Sequence, residues 1–260
     1  MLFQNKVCIV TGASSGIGKQ ISIDLAKKDS VIIMLARNKN NLEKAFNEVS
    51  QYSPNSSYFV CDVSNEKQVS SAVKKIYEKY RKIDILINNA GFGIYKTFMD
   101  STLDEIKSQM DTNYYGSVYF IKHTAEIMKK QNFGHIVNIS SVAGKSGYPN
   151  VAAYCASKFA VIGLSEALYA ELKSHNINVS VVCPGSVSTN FFSHPSWKNF
   201  PHEKRHKSML SASQVSKAII KALATKKFEI IVPFRSKIIL LGKEILKEKY
   251  VNILSKLPRE

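Results

Sequence analysis

The sequence predicts an α/β fold built as one domain. Seven short apolar runs, rich in β-branched residues and typical of buried strands, alternate with amphipathic segments of helical length. No internal repeat and no linker divides this alternation, which is the pattern of a parallel sheet covered by helices. With 260 residues, the chain is long enough to bury a large core.

The first strand-like run, residues 6–11, leads into a glycine turn and then into a helical pattern over residues 19–28. Glycines let the backbone approach a pyrophosphate, whose charge the free amides at a helix N-terminus can receive. The spacing is G-x-x-x-G-x-G, not the G-x-G-x-x-G of many dinucleotide folds. A turn that binds nothing is the alternative, but the flanking strand and helix favour a cofactor site at Gly12, Ser14, Ser15, Gly16, Ile17 and Gly18.

The second strand-like run, residues 31–36, is followed by Arg37 and Asn38. A dinucleotide fold selective for NAD usually has an acid here, which accepts hydrogen bonds from the adenosine ribose. This sequence has a guanidinium and no carboxylate at the position, which favours NADP because a 2′-phosphate would be attracted and not repelled. An exposed loop residue is the alternative reading of Arg37.

The third run ends in Asp62 and Val63, and the fourth is followed by Asn88, Ala90 and Gly91. In an open parallel sheet, ligands bind beyond the carboxyl ends of the strands. Small residues and amides after the fourth strand suit close approach of a ligand to the backbone, although a tight turn alone also explains them.

Residues 103–131 can form one long helix with Asn113 near its middle. Asparagine is unfavourable inside a helix unless its side chain has a specific role. The fifth run ends in Ser140 and Ser141, whose hydroxyls are well placed for chemistry at the carboxyl end of a strand.

Tyr154 and Lys158 lie four residues apart within a helical pattern over residues 153–174, so both side chains project from one face. A free tyrosine has a pKa of about 10 and is a poor acid or base at neutral pH. We expect a nearby lysine cation to favour the phenolate and lower the pKa of Tyr154. A solvated pair on a surface helix is the alternative.

The sixth run closes with Pro184 and Gly185, and residues 186–211 then lose periodicity. So long an irregular segment in a compact domain usually forms a lid or a binding loop. Its aromatic residues indicate an apolar substrate, unless they only pack the lid: Phe191, Phe192, Trp197 and Phe200.

The carboxyl-terminal extension, residues 236–260, is basic and amphipathic. Ile238, Leu241, Ile245 and Leu246 fall on one helical sector. Packing of this stripe onto the same fold or onto a second subunit is the favoured interpretation. A peripheral contact with an anionic membrane is the alternative.

The net charge of +16 permits a nucleic-acid binder, but the lysines are dispersed and no RNA-binding signature is present, so we expect no nucleic-acid partner. The four cysteines lack metal-ligand spacing and are expected to be buried thiols. His202 and His206 could share a helix face, but the charged residues between them indicate an exposed segment and no metal site. The amino terminus lacks the features of a secretory signal, and we expect a cytoplasmic protein.

Together these residues resemble the short-chain dehydrogenase/reductase family over roughly residues 4–233. The resemblance implies a single doubly wound, Rossmann-type domain over residues 1–235, with a seven-stranded, mostly parallel sheet and helices on both faces. It also implies a homodimer or homotetramer, whose interface is commonly built by the helices that contain Asn113 and Tyr154. The landmarks are Thr11-Gly-x-x-x-Gly-Ile-Gly18, Asp62, Asn88-Asn-Ala-Gly91, Asn113, Ser141, Tyr154-x-x-x-Lys158 and Pro184-Gly-x-Val-x-Thr189.

The resemblance also implies a role for each catalytic position. Tyr154 would exchange a proton with the substrate oxygen, while Lys158 would bind the nicotinamide ribose and lower the tyrosine pKa. Ser141 would hold the substrate carbonyl or hydroxyl, and Ser140 is the less favoured candidate. Asn113 would position a water that links Lys158 to solvent.

The remaining family positions would line the dinucleotide. Asp62 and Val63 would lie along the adenine and Asn88 near the adenosine ribose. Val187 and Thr189 would lie beside the nicotinamide carboxamide. These positions predict an NADP(H)-dependent carbonyl reductase or alcohol dehydrogenase acting on a small molecule. A non-catalytic NADP-binding sensor or interaction protein is the alternative.

Overall fold

The computed structural model describes residues 2–198, 200 and 209–255. His202 and His206 lie outside these residues, as do residues 199 and 201–208 of the irregular segment predicted over residues 186–211.

A seven-stranded sheet forms the centre of the molecule, with every neighbouring pair of strands parallel and the spatial order β3-β2-β1-β4-β5-β6-β7. This arrangement confirms the predicted doubly wound α/β fold. The strands are β1 Val7–Thr11, β2 Val31–Ala36, β3 Ser57–Val60, β4 Ile85–Asn88, β5 Gly134–Ile139, β6 Ile177–Pro184 and β7 Glu229–Val232.

Helices follow the strands along the chain, as the alternation of patterns predicts. They are α1 Gly16–Ala26, α2 Lys39–Ser50, α3 Glu66–Tyr80, α4 Leu103–Met110, α5 Gly116–Gln131, α6 Ala152–Glu171, α7 Ala212–Thr225 and α8 Phe234–Ser255.

Both faces of the sheet are buried, and successive strand residues point to opposite faces. In β2, Ile32 and Met34 pack into the cluster formed with α1, α2 and α7. The alternate residues Ile33 and Leu35 pack on the other face, into the cluster formed with α3 and α5. Apolar residues are therefore required at consecutive positions, which explains why this strand reads as a continuous apolar run.

The chain order reverses between β1 and β4, which are direct neighbours in the sheet. Loops that leave these two strands cross to opposite sides of the sheet and open a crevice at the carboxyl ends of the strands. The glycine turn follows β1 and the Asn88–Gly91 segment follows β4, so the fold brings these two predicted ligand-binding segments together.

Two predicted elements differ in detail from the structure. The expected long helix over residues 103–131 is α4 and α5 joined by a π-helical turn, Asp111–Tyr115, in which the Gly116 amide donates to the Asp111 carbonyl. The expected strand reaching Asp62 ends earlier, at Val60.

Within the described residues, no helix is both long enough and apolar enough to cross a bilayer.

Candidate active site

The glycine turn is closely packed and leaves the first amides of α1 without a side-chain cap. A Cβ atom at Gly18 would lie 2.3 Å from the Gly12 carbonyl oxygen, so only glycine fits there. Gly12 itself has a φ of +63°, in the left-handed region that favours glycine. Ser15, the N-cap residue, accepts no capping hydrogen bond, and the first turn of α1 carries no acid. An anion at this helix end would find partnerless donors and a favourable dipole.

Thr11 and Asn89 join this turn to the segment after β4. The Thr11 hydroxyl accepts hydrogen bonds from the amides of Asn89 and Ala90, at 2.9 and 3.0 Å. The Asn89 amide group donates to the carbonyl oxygens of Thr11 and Gly12. These bonds hold the two walls of the crevice at a fixed distance. Sequence reasoning assigned Asn89 no role, although its place within the Asn-Asn-Ala-Gly motif was a signal.

Asn88 and Gly91 lie at the carboxyl end of β4, as predicted. Asn88 Nδ2 donates to Asn138 Oδ1 at 2.9 Å. Asn88 Oδ1 is buried and, within the described part of the chain, has no hydrogen-bond partner. Gly91 leaves room for its neighbours, because a Cβ there would lie 2.9 Å from Asn113 Oδ1 and 3.3 Å from Lys158 Nζ.

The residues expected around the adenosine lie in the loops after β2 and β3. Arg37 is exposed directly after β2, and Asn38 caps α2 by accepting a hydrogen bond from the Asn41 amide. Asp62 Oδ1 accepts hydrogen bonds from the Ser64 amide and hydroxyl. Val63 is buried against Gly116 of α5. Asn38 and Asp62 therefore have structural roles that sequence reasoning did not assign.

Asn113 lies in the π-helical turn and connects three elements. Its Oδ1 accepts from the Phe92 amide, and its Nδ2 donates to the Phe92 carbonyl and to Ser157 Oγ, each at 2.9 Å. The side chain is buried, and these bonds explain why an asparagine occurs within a helical stretch. They tie the loop after β4 to α6, the helix that carries Tyr154 and Lys158. The predicted water beside Asn113 stays a prediction.

Ser141 and Tyr154 lie at the carboxyl edge of the sheet. Ser141 follows β5, accepts a hydrogen bond from the Ala143 amide, and lies within hydrogen-bond reach of the Pro184 carbonyl. Its hydroxyl also lies near enough to the phenol of Tyr154 to lower the pKa of that group, against the effect of burial. The neighbouring Ser140 is bound elsewhere, since its hydroxyl donates to the Lys158 carbonyl at 2.9 Å.

The expected lowering of the Tyr154 pKa is wrong for this structure. Burial of the phenol raises its pKa above the ordinary value, and only the hydrogen bond with Ser141 opposes this rise. Lys158 Nζ lies 5.8 Å from the centroid of the tyrosine ring and donates instead to the Ile139 carbonyl, at 2.9 Å. The Lys158 ammonium is held away from the phenol, so it does not lower the pKa of Tyr154. A spacing of four residues places both side chains on one helix face but does not fix the distance between their charged ends.

Burial also lowers the pKa of Lys158, from 10.5 to about 8. The side chain is 4% exposed. The ammonium therefore stays charged at neutral pH but lies close to its titration point.

The segment after β6 closes over the glycine turn. The Gly185 amide donates to the Val232 carbonyl, and Val187 is buried where it pairs with Leu210. The methyl group of Thr189 lies 3.1 Å from the position that a Cβ on Gly16 would occupy. Thr189 is therefore placed against the turn that would receive a pyrophosphate.

An aromatic cluster follows Thr189 and covers Tyr154. The Phe191 ring packs edge-on against Tyr154, with 5.4 Å between centroids, and both rings press on Gly93. Trp197 is buried and its indole donates to the Gly93 carbonyl at 2.7 Å. Sequence reasoning predicted the aromatic lid but missed its anchor, since nothing local to Gly93 indicates a partner 104 residues away. The cluster comprises Tyr95, Phe191, Phe192, Trp197 and Phe200.

The predicted burial of the thiols is confirmed, since Cys8, Cys61, Cys155 and Cys183 are all buried and free. Among the described residues, no group of three or more histidine, cysteine, aspartate or glutamate side chains is arranged to hold a metal ion.

The crevice has the features that a dinucleotide requires. Uncapped amides at the start of α1 suit a pyrophosphate, and the Asn88 oxygen, which has no hydrogen-bond partner among the described residues, is an acceptor at the adjacent strand end. Ser141, Tyr154 and Lys158 lie at the same edge of the sheet, where a proton could be exchanged with a bound substrate. Together they define a nucleotide-dependent oxidoreductase of the doubly wound class.

Comparison with known proteins agrees with this class. Residues 6–198 match the family model described as short chain dehydrogenase. The chain is 30% identical to 17-beta-hydroxysteroid dehydrogenase 13 of Homo sapiens over 256 residues, covering 97% of this chain and 83% of that protein. It is 36% identical to 3-dehydrosphinganine reductase of Danio rerio over 222 residues, covering 82% of this chain and 67% of that protein.

Solved structures agree as well. A short-chain dehydrogenase/reductase from Burkholderia phymatum, in complex with NAD, superposes with a TM-score of 0.86 at 25% identity, covering 95% of this chain and 96% of that one. An alcohol dehydrogenase from Thermococcus sibiricus, complexed with 5-hydroxy-NADP, has a TM-score of 0.78 at 25% identity, covering 88% and 96%. The chain belongs to the short-chain dehydrogenase/reductase family. It is an oxidoreductase of the group that acts on CH–OH and C=O groups with a nicotinamide dinucleotide.

Proposed function

We propose that this protein is an NADP(H)-dependent carbonyl reductase or secondary alcohol dehydrogenase in which Tyr154 is the general acid and base. The observation that carries the proposal is that Ser141, directly after β5, lies at the same edge of the sheet as Tyr154 and Lys158, which are one helical turn apart on α6. A residue set for proton exchange beside a pyrophosphate site is what hydride transfer to a carbonyl requires.

The bound dinucleotide would supply the hydride. Ser141 would hold the carbonyl oxygen by a hydrogen bond, and Tyr154 would donate its phenolic proton as charge develops on that oxygen. Tyr154 carries its proton at neutral pH, and because burial raises the pKa of the phenol, donation in the direction of reduction requires that its neighbours stabilise the phenolate. The Lys158 cation would stabilise the phenolate that results, and Asn113 would hold α6 against the loop after β4.

Loss of the phenolic hydroxyl tests this assignment. We expect Tyr154→Phe to lower kcat by about 10²–10⁴-fold, the usual contribution of positioned acid–base catalysis, because the ring stays in place without its proton. NADPH oxidation gives kcat, and titration of NADPH fluorescence gives Kd, which we expect to stay within about twofold of the parent. Retained activity in the purified variant would remove Tyr154 from the mechanism. NADPH binding by the parent without turnover of any carbonyl compound would favour the non-catalytic sensor.

We propose NADP(H) as the preferred cofactor because Arg37 is exposed directly after β2, where a 2′-phosphate would be placed. Arg37→Asp replaces the attracting charge with a repelling one. We expect it to raise the KM for NADPH about tenfold or more and to leave the KM for NADH unchanged or lower. Steady-state kinetics with both cofactors measures this ratio. An unchanged ratio of the KM for NADPH to the KM for NADH would mean that Arg37 does not contact the cofactor.

We propose an apolar ketone or secondary alcohol as the substrate. The aromatic cluster over Tyr154 supports this choice, as do the names of two relatives, one a steroid dehydrogenase and one a sphinganine reductase. NADPH oxidation measured against ketones, aldehydes and 3-ketoacyl or steroid-like compounds would identify the class.

We also propose a homo-oligomer, built through the helices that contain Asn113 and Tyr154, and a cytoplasmic location. Both follow from the family resemblance and the sequence.

A further inference from the structure

Helix α8 has an apolar stripe that faces away from the rest of the protein. Its members recur at intervals of four, three and four residues, which places them on one face of a helix. Their exposed fractions are 71%, 60%, 56% and 82% for Phe234, Ile238, Leu241 and Ile245. The stripe predicted from sequence consists of Ile238, Leu241, Ile245 and Leu246, and Leu246 is also exposed, at 47%. Packing of these residues onto their own fold, one of the interpretations from sequence, is therefore wrong.

Other residues of α8, which is interrupted by a non-helical residue at Lys247, attach it to the domain. Leu240 is buried, and the Lys243 ammonium donates to the Lys145 carbonyl. The Ser146 hydroxyl donates to the Tyr250 hydroxyl at 3.2 Å. These contacts hold the helix in place and leave the stripe, together with Ile239 and Leu246, exposed to the surroundings.

The charge of the helix indicates what covers the stripe. Residues 234–255 include five basic side chains and two acidic ones, and the whole chain carries a formal charge of +16. Two copies of such a helix would bring like charges together, whereas an anionic surface would attract them. An exposed apolar stripe on a basic helix has the two properties that bind a helix at the surface of an anionic membrane.

We propose that α8 docks on an anionic lipid surface, with Phe234, Ile238, Leu241 and Ile245 inserted among the acyl chains. The basic side chains contribute attraction to the head groups, and the stripe contributes apolar burial. The helix lies in the plane of the surface and does not cross the bilayer.

Docking of α8 would also place the crevice near the lipid. The helix starts directly after β7, at the carboxyl edge of the sheet, and Ser236 approaches Gly185. Its later part contacts the loop of residues 145–148, which connects Ser141 to Tyr154. If the proposed reductase function holds, which this step assumes, an apolar substrate would enter the crevice from the membrane.

Sedimentation with lipid vesicles tests the docking without any need for turnover. We expect the full chain to bind phosphatidylcholine vesicles that contain phosphatidylserine, to bind pure phosphatidylcholine weakly, and to bind less as salt is raised. Ile245 is the most exposed residue of the stripe. Ile245→Glu should weaken vesicle binding about tenfold or more, because a charge replaces an apolar side chain that docking would bury in the lipid. Leu103→Glu is the matched control, since Leu103 is 83% exposed on α4 and outside the stripe.

Three outcomes would overturn the proposal: no sedimentation with anionic vesicles, equal loss for Ile245→Glu and Leu103→Glu, or a change in oligomeric mass for Ile245→Glu without a change in vesicle binding. The last would assign the stripe to a second copy of the chain. NADPH oxidation with a water-soluble ketone, measured without vesicles, is expected to be the same in parent and Ile245→Glu. Its absence in both would refute the proposed function and leave the docking result intact.

Discussion

At the scale of single residues, burial has opposite effects on the pKa values of the two groups one helical turn apart on α6. It raises the pKa of the Tyr154 phenol and lowers that of the Lys158 ammonium to about 8. In both cases the neutral form is favoured, because a charged form loses more when water is removed. The site therefore keeps the phenol of Tyr154 protonated at neutral pH and holds a lysine cation close to its titration point.

The burial of Lys158 makes a prediction about stability and pH. Because its folded pKa of about 8 lies below the ordinary value of 10.5, the unfolded chain binds more protons between these pH values. The contribution of this residue to the free energy of unfolding therefore rises as the pH rises from about 8 to 10.5. Below pH 8 the full cost of burying the charged ammonium is present, and the folded protein is destabilised by it. We expect Lys158→Met to remove this pH dependence of the unfolding free energy, which is on the order of a few kcal/mol. The same substitution should abolish activity.

Chemical denaturation of parent and Lys158→Met at several pH values measures the effect. The difference in unfolding free energy should favour the variant most near neutral pH and shift toward the parent as pH rises. Lys74→Met, which changes an exposed lysine on α3, is the control and should show no such trend. A constant difference across the range would mean that Lys158 is not desolvated in solution.

At the scale of elements, the lid and the loop after β4 form one unit through Gly93. Trp197 bonds to the Gly93 carbonyl, and its ring packs against Tyr95, Phe191 and Phe200. Ser196 also accepts a hydrogen bond from the Tyr95 amide. The position of Phe191 over Tyr154 thus depends on contacts made several residues further along the lid.

Trp197→Phe keeps an aromatic ring and removes the donor to Gly93. We expect kcat/KM for the best apolar substrate to fall about tenfold, as the loss of one buried hydrogen bond implies, with the Kd of NADPH unchanged. Steady-state kinetics and NADPH titration separate the two effects. Phe133→Leu, next to the amino end of β5 and far from the crevice, serves as control. An unchanged kcat/KM would mean that the lid does not shape the substrate site.

Elements were predicted from sequence where one local property decides them. Apolar runs identified all seven strands, and the capping residues Thr102 and Ser211 mark the starts of α4 and α7 in the structure. The π-helical turn was not predicted, because helical periodicity continues through it. Its cause is the set of bonds between Asn113 and the distant Phe92 and Ser157.

At the scale of the whole molecule, aromatic side chains remain exposed on the helices proposed to form the subunit interface. Tyr115, at the end of the π-helical turn, is 43% exposed, and it packs with Tyr114 and Tyr119. Phe159 and Tyr169 on α6 are exposed to a similar degree. Aromatic residues are enriched at interfaces between subunits, so this surface suits association of two copies.

We expect sedimentation velocity to show a dimer or a tetramer for the parent and a smaller species for Tyr115→Lys at equal concentration, because a charge at the centre of an apolar interface is costly. Tyr77→Lys on α3, where the tyrosine is 37% exposed, is the comparison that should leave the mass unchanged. A monomeric parent, or equal behaviour of both variants, would contradict an interface at Tyr115.

The sequence by itself determined the α/β alternation, the family and the residues with chemical potential, because these depend on local spacing and residue type. Gly12, Gly16 and Gly18 read as a ligand turn, and Ser141, Tyr154 and Lys158 as a proton-exchange set, without knowledge of their neighbours. Whether the exposed guanidinium of Arg37 selects NADP stays a prediction for kinetics.

Only the tertiary structure decided three further points. It bound the Ser140 hydroxyl to the Lys158 carbonyl, it raised the tyrosine pKa, and it left the stripe of α8 exposed. The physical reason is common to all three. The solvation and the contacts of a side chain depend on atoms that are distant along the chain, such as the Ile139 carbonyl that binds Lys158. The spacing of residues in the sequence does not reveal which distant atoms these are.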